Sequence, residues 1–217
     1  MWEVVDLIPA KEEWNNALVK RHGEKLQEHF SAAAVAVCGL GGLGSNIAIA
    51  LARAGIGTLI LIDFDKVDLT NLHRQQYKAG QTGRCKTEAL AENLKEIAPY
   101  TDIQIRTTCI TEENAVELLK DADIICEAFD EPASKAMLVN VVLSEMPDKF
   151  LIAASGMAGL GSPNLIQTRK IADHFYLCGD GVSDVRDNLG LVSSRVMLCA
   201  AHQAHMVLRI LAKEFDI

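Results

Sequence analysis

Ala34-Val35-Ala36-Val37-Cys38-Gly39-Leu40-Gly41-Gly42-Leu43-Gly44 begins as an unbroken apolar run and ends in glycines. The apolar residues read as a short buried strand, and the glycines after them predict a tight turn that opens a helix. Gly39, Gly41 and Gly44 make a G-x-G-x-x-G pattern, with Gly42 inside it. Glycine permits the turn, lets backbone approach a phosphate and allows close packing of helix on strand. The unpaired N–H groups at the helix start attract an anion. A second apolar run, Thr58 to Ile62, ends in Asp63, about 20 residues on, where a carboxylate can hold a ribose hydroxyl. A glycine pattern alone also occurs in plain turns. Strand, helix and acid in register make it a nucleotide site.

Outward from this core the chain alternates strand and helix. Leu43, Ile47, Ala50, Leu51 and Ala54 form one helix face that Gly55 stops. Lys86 to Ile97 is a further helix ended by Pro99, and Ile103 and Ile105 alternate as a strand. Thr111 precedes a helix, Ile124-Ile125-Cys126 is a buried strand, Pro132 opens a helix through Leu143, and Phe150 to Ala154 is a fifth strand. Leu165 to Ile171 and Phe175 to Leu177 are shorter strands, and Asp180 to Asn188 is polar, aperiodic and expected to be mobile. Ser193 or Ser194 is expected to cap a long apolar helix running to about Lys213, suited to deep packing or a subunit interface. Lys11 to Phe30 reads as an amphipathic helical addition ahead of the nucleotide unit. The fold expected is α/β: a Rossmann-like sheet with helices on both faces, mostly parallel, with antiparallel strands added after about residue 160, in one domain over 1–217 with 1–30 as an N-terminal helical extension.

The run from Asp63 to Gln76 is too polar for a core. Asp63 and Asp65 stand where they can grip a ribose, and Asn71, Arg74 and Gln75 follow on a segment able to fold back over phosphates. Lys86 places another cation at the head of the next helix. Asp130 lies just past the fourth strand, at the carboxyl edge where such sheets bind ligands.

A chain of 217 residues, 49% hydrophobic, has enough apolar material for one sizeable core. Its net charge of -8 argues against nucleic acid, whose phosphates demand a basic face. No apolar stretch is long enough to span a membrane and the N-terminus lacks the form of a signal peptide, so a cytoplasmic protein is expected. The six cysteines are scattered without a C-x-x-C pair, which gives no structural zinc and no disulfide framework. Cys199, His202 and His205 recur at spacings of three, but apolar neighbours Val196, Val207 and Leu208 favour a packed helix over a metal site.

Gly39-Leu-Gly-Gly-Leu-Gly, Asp63-x-Asp65-x-Val67, Asn71-Leu72-x-Arg74-Gln75, Lys86 and Asp130 together resemble the ThiF/MoeB/HesA family, bacterial relatives of ubiquitin-activating enzymes. The likeness spans about Ser31 to Phe215. The stretches Glu127 to Asp130, Ala154 to Gly159 and Phe175 to Asp180 make the chain most like the short ThiF proteins of thiamine biosynthesis. It departs from longer members in lacking both zinc-binding C-x-x-C pairs and an appended sulfurtransferase domain.

The resemblance implies an adenylyltransferase. ATP would sit at Gly39, Gly41, Gly42 and Gly44, with Asp63 and Asp65 on the ribose and Asn71 and Gln75 orienting phosphates or metal waters. Arg74 and Lys86 would neutralise phosphate charge, and Asp130 would hold Mg²⁺. The partner implied is a small ubiquitin-like sulfur carrier ending in Gly-Gly, and the assembly a homodimer in which Arg21, with Lys20 as rival, reaches the other subunit's ATP. Activation of another carrier, in molybdopterin or other sulfur transfer, and an NAD-dependent oxidoreductase are the alternatives, with a non-catalytic carrier-binding module as a third. Cys178, ahead of the polar segment, reads either as a sulfur-handling thiol or as a half-buried strand residue, and adenylation itself requires neither.

Overall fold

The structure, a computed structural model, describes residues 8–187 and 190–217. In chain order the elements are α1 (Lys11–His22), α2 (Glu24–Ala32), β1 (Ala34–Cys38), α3 (Gly42–Ala54), β2 (Thr58–Ile62), α4 (Lys86–Ile97), β3 (Asp102–Arg106), α5 (Glu112–Leu119), β4 (Ile124–Glu127), α6 (Pro132–Glu145), β5 (Phe150–Ala154), β6 (Gln167–Ala172), β7 (Phe175–Gly179) and α7 (Ser193–Leu211). The strands form one seven-stranded sheet in the order β3-β2-β1-β4-β5-β7-β6.

Alternate residues of the central strands face opposite helix layers, as a two-residue period requires. Val35, Val37, Leu59 and Leu61 join a core with α3, α4 and α7. Ala36, Cys38, Ile60 and Ile62 join a second core with α5 and α6. Both faces are therefore covered, which explains why these strands read as continuous apolar runs. From β1 the chain winds outward through β2 and β3, then returns to β4 on the other side of β1. Such a switch in strand order opens a crevice at the carboxyl ends of β1 and β4.

Several boundaries differ from the sequence expectations. The helical stretch from Lys11 to Phe30 is two helices, because Gly23 adopts φ +83°, which breaks the helical path. β7 runs parallel to β5, so β6 alone is antiparallel, folding back on β7 as a hairpin at the sheet edge. Neither serine caps α7: Val192 occupies the N-cap position without a side-chain cap. The apolar content of α7 is spent inside the chain, where Val196, Cys199, Ala200, Ala204, Met206, Val207 and Ile210 are buried.

The polar segment after β7 is anchored at its start; Asn188, its expected end, lies outside the described residues. Arg195 of α7 donates to Asp180 at 2.6 Å and to the carbonyl of Ser162 at 3.0 Å, with both ionic side chains about 95% buried. Burial alone would raise the Asp180 carboxyl, but the N–H groups of Ser183 and Val182, the Ser183 hydroxyl and Arg195 outweigh it and hold it down at about 2. Because the folded value lies below the unfolded one, this stabilisation is fully present above about pH 5 and is lost as pH falls toward 2, a contribution of about 2 kcal/mol. Asp180→Asn is expected to be less stable than the parent at neutral pH and to lose less stability on acidification. Denaturant melts at several pH values measure both, and parallel acid limbs would overturn the assignment.

Candidate nucleotide site

The glycine turn is shaped by contacts that exclude side chains. Gly39 has φ +89°, and a Cβ there would lie 2.8 Å from the carbonyl oxygen of Ala128. At Gly44 a Cβ would lie 1.8 Å from the carbonyl oxygen of Gly39, so α3 leans directly on the turn. Gly41 and Gly42 are instead overlain by side chains: a Cβ on Gly41 would meet Gln75 Nε2 at 3.7 Å, and one on Gly42 would meet Arg74 Cδ at 3.5 Å and, from α7, Val196 Cγ1 at 2.9 Å. No side chain caps α3, whose first N–H groups remain free for an anion.

The segment carrying Asn71, Arg74 and Gln75 does fold back over this turn. A 3₁₀ turn at Leu69–Asn71, capped by Asp68, redirects the chain, and the carbonyl of Asn71 accepts from the N–H of Arg74 and of Gln75, each at 3.1 Å. Two residues not singled out from the sequence hold it down. Asn46 Nδ2 donates to the Arg74 carbonyl at 3.2 Å, and Gln76 N–H donates to Ser45 Oγ at 3.1 Å. Ser45 and Asn46 lie near the start of α3, where their polarity in an apolar helix was the available signal. Arg74 Nε and Gln75 Oε1 are buried without any partner. Buried polar atoms are rarely left so, and here both sit above an open phosphate cradle.

Asp63 and Lys86 have structural work as well. Asp63 accepts from the N–H of Leu40 at 2.6 Å and of Asp65 at 2.7 Å, fixing the turn from below. Lys86, 6% exposed, reaches Asp65 at 2.7 Å and Asp63 at 3.9 Å. Asp65 keeps about half its surface open. Asn71 is partly exposed. Asp130 is exposed in the bend after β4, across the crevice. Burial pulls the Arg74 guanidinium below its ordinary value and the charge of Asp130 opposes it, so the two share one electrostatic neighbourhood.

Among the described residues no group of three or more His, Cys, Asp or Glu side chains is placed to hold an ion. One carboxylate beside phosphates suits Mg²⁺, which keeps several waters and leans on substrate oxygens. Cys199 belongs to the core, and His202 hydrogen-bonds Thr168 Oγ1 at 3.0 Å.

Arg21 is not brought to its own site. Its helix packs against Gly55, where Leu18 Cδ1 would lie 2.8 Å from a Cβ, and Gly55 follows the far end of α3. That helix is about 20 Å long at 1.5 Å per residue, so Arg21 stands a helix length from the glycine turn.

Cys178 is not an exposed thiol. It lies in β7 at 0% exposure, and burial pushes its thiol up to about 11, with Thr168 and Arg169 only partly opposing. The nearby His174 ring hydrogen-bonds the Pro147 carbonyl at 2.9 Å rather than the thiol. Cys178→Ser is expected to keep nucleotide chemistry near the parent rate while lowering stability by about 1–2 kcal/mol for a hydroxyl placed in the core. Loss of activity in the folded variant would show that the thiol takes part.

No described helix is long and apolar enough to cross a membrane. Known proteins share this architecture. The E. coli tRNA N6-threonylcarbamoyladenosine dehydratase TcdA, solved with ATP, superposes with TM-score 0.85 at 22% identity, covering 96% of this chain and 98% of that one. E. coli MccB with ATP superposes at TM-score 0.70 and 22% identity, over 88% of this chain and 59% of that one. In sequence, the adenylyltransferase and sulfurtransferase MOCS3 of Caenorhabditis briggsae is 36% identical over 132 residues, 60% of this chain. MOCS3 of Dictyostelium discoideum is 32% identical over 149 residues, 64% of this chain. The chain spans about a third of the length of these curated relatives, 33% and 35%. The sequence model of the ThiF family matches residues 14–216, and the chain belongs to that family.

Proposed function

We propose that the chain is an ATP-dependent adenylyltransferase that activates the C-terminal glycine of a small ubiquitin-like sulfur carrier, ThiS-like, for thiamine thiazole synthesis. The observation that carries this reading is the cradle itself: an open glycine turn roofed by Arg74 and Gln75, each with a buried polar atom lacking a partner. Relatives named as adenylyltransferases support the reaction class. The thiamine assignment rests on the resemblance of Glu127 to Asp130, Ala154 to Gly159 and Phe175 to Asp180 to short ThiF proteins. A tRNA substrate like that named for TcdA is disfavoured by the net charge of -8.

In the reaction, an oxygen of the carrier's C-terminal carboxylate attacks the α-phosphorus of ATP. The bond from that phosphorus to the bridging oxygen breaks, and pyrophosphate leaves with the electron pair. An ionised carboxylate is already nucleophilic, so positioning and charge neutralisation dominate over acid–base chemistry. Arg74 places its planar donors over the phosphates, and Lys86 adds a positive charge from beneath, exchanging part of its pairing with Asp65 for the nucleotide. Asp65 and Asp63 hold the ribose, with Asn71 and Gln75 orienting the phosphate oxygens. Asp130 would hold Mg²⁺, which supplies further neutralisation of phosphate charge. Isotope exchange between pyrophosphate and ATP, run with carriers ending in Gly-Gly, tests the function: exchange dependent on a ThiS-like carrier is expected. No exchange with any carrier would overturn the enzymatic reading, exchange with a molybdopterin-type carrier alone would reassign the pathway, and stabilisation by NAD but not ATP would point to an oxidoreductase.

The working assembly in this reading is a homodimer that carries Arg21 to the opposite site, since within one chain it lies far from the glycine turn. Inactive Arg21→Ala mixed with inactive Asp130→Ala is then expected to regain part of the activity after subunit exchange, up to about a quarter at equal mixing by random pairing. Light scattering showing only monomer, or no recovery after verified exchange, would remove the shared site.

A further inference from the structure

Asp130 hangs from a four-residue link between β4 and α6, and that link is fastened by an ion pair outside the nucleotide site. Glu127 closes β4 with its side chain 1% exposed, and Lys135 stands in the second turn of α6 with 24% exposure. Lys135 Nζ donates to Glu127 Oε1 at 2.9 Å and Oε2 at 3.0 Å, and to the Ala154 carbonyl at the end of β5 at 3.2 Å. Glu127 Oε1 also accepts from the N–H of Phe129 at 2.7 Å, directly ahead of Asp130. On the opposite side, the N–H of Ala128 donates to the Cys38 carbonyl at the end of β1, and Gln203 of α7 donates to the Glu127 carbonyl at 2.9 Å. The link is therefore tied to β1, β5, α6 and α7 within three residues of Asp130.

An acid at this depth would cost several kcal/mol without a partner, so its retention in an otherwise apolar strand asks for a use. Core packing does not supply one, because Ile124, Ile125 and Cys126 already fill β4. We propose that Glu127 and Lys135 are positioning residues that set the Asp130 carboxylate for the metal ion accompanying the nucleotide. The inference rests on the adenylation reading for the identity of the ligand, and its own content is the coupling between this pair and metal binding.

The test is equilibrium binding of a nonhydrolysable ATP analogue, with and without Mg²⁺, to the full chain. In the parent, Mg²⁺ is expected to tighten binding, and a parent without that tightening would overturn the proposal. Lys135→Met is expected to leave the Mg²⁺-free affinity unchanged and to reduce the tightening by about tenfold, as loss of a group orienting a metal ligand does. Lys135→Arg, which keeps a cation able to reach both carboxylate oxygens, is expected to restore most of it. Glu127→Gln, which preserves an acceptor for the Phe129 N–H, gives the same readout should Lys135→Met fail to fold, and is expected to lose part of the tightening. Full tightening in folded Lys135→Met or Glu127→Gln would overturn the proposal, as would an equal loss of affinity with and without Mg²⁺, which marks general disruption. A parent that binds the analogue with Mg²⁺-dependent tightening yet shows no pyrophosphate exchange would count against adenylation alone and leave the positioning role standing.

Discussion

Asp130→Ala is expected to lower Mg²⁺-dependent pyrophosphate exchange by about a hundredfold or more while leaving thermal stability within a few degrees of the parent. The two halves of this expectation have separate causes. Asp130 is exposed and contributes nothing to either core, so its removal creates no cavity and strands no partner. Its charge nevertheless acts on Arg74, and in the proposed reaction neutralisation of phosphate oxygens there decides the rate. Because Glu127 and Lys135 fasten the preceding residues, the loop keeps its path in the variant and the loss is one of charge. Near-normal exchange by folded Asp130→Ala would place the metal elsewhere. A large drop in melting temperature would mean that the carboxylate carries structure.

Gly44→Ala is the substitution expected to damage the fold most. In an ordinary helix, glycine to alanine is favourable by about 1 kcal/mol. Here the added methyl would sit 1.8 Å from the carbonyl oxygen of Gly39, a backbone atom that cannot swing aside. Relief requires α3 to lift from β1, opening the packing of Leu43, Ile47 and Leu51. The net effect is therefore reversed, a loss of about 3 kcal/mol or more. Gly41→Ala is the matched control, since its nearest neighbour outside the local backbone is Gln75 Nε2 at 3.7 Å, and it should stay within about 1 kcal/mol of the parent. Urea melts of the two variants compare them directly. Equal stability would show that the turn is softer than its contacts imply.

Local chemistry explains what the sequence made legible. β1, the glycine turn and α3 were readable because each residue between Ala34 and Ala54 serves the same local structure, and Gly55, φ +84°, ends α3 as expected. Arg74 and Gln75 lie over the glycine turn, as a run too polar for the core and able to fold back was expected to place them. What escaped was pairing across loops. The dual duty of Asp63, bonded to Leu40, and the diversion of Lys86 to Asp65 depend on how a loop closes, which no spacing rule encodes. The Glu127–Lys135 and Asp180–Arg195 pairs span only 8 and 15 positions, but each closes across a loop whose path no periodicity encodes. The order β5-β7-β6 was hidden because a parallel strand and its hairpin partner look alike along the chain. For Cys178 the strand reading holds over the sulfur-handling one, and its burial is complete because a residue beside a polar loop can still point into the core.

The contact between Val196 Cγ1 and Gly42 joins residues more than 150 positions apart, and α7 packs along much of α3. At ribosomal speeds of about 5–20 residues per second, roughly 8 to 30 seconds separate the emergence of these two residues. During that interval the start of α3 lacks its Val196 contact, and the apolar flank of the helix awaits its cover. The packing around the glycine turn is thus completed late in synthesis. Chaperone engagement, or a stalled chain, would be felt first at that uncovered flank.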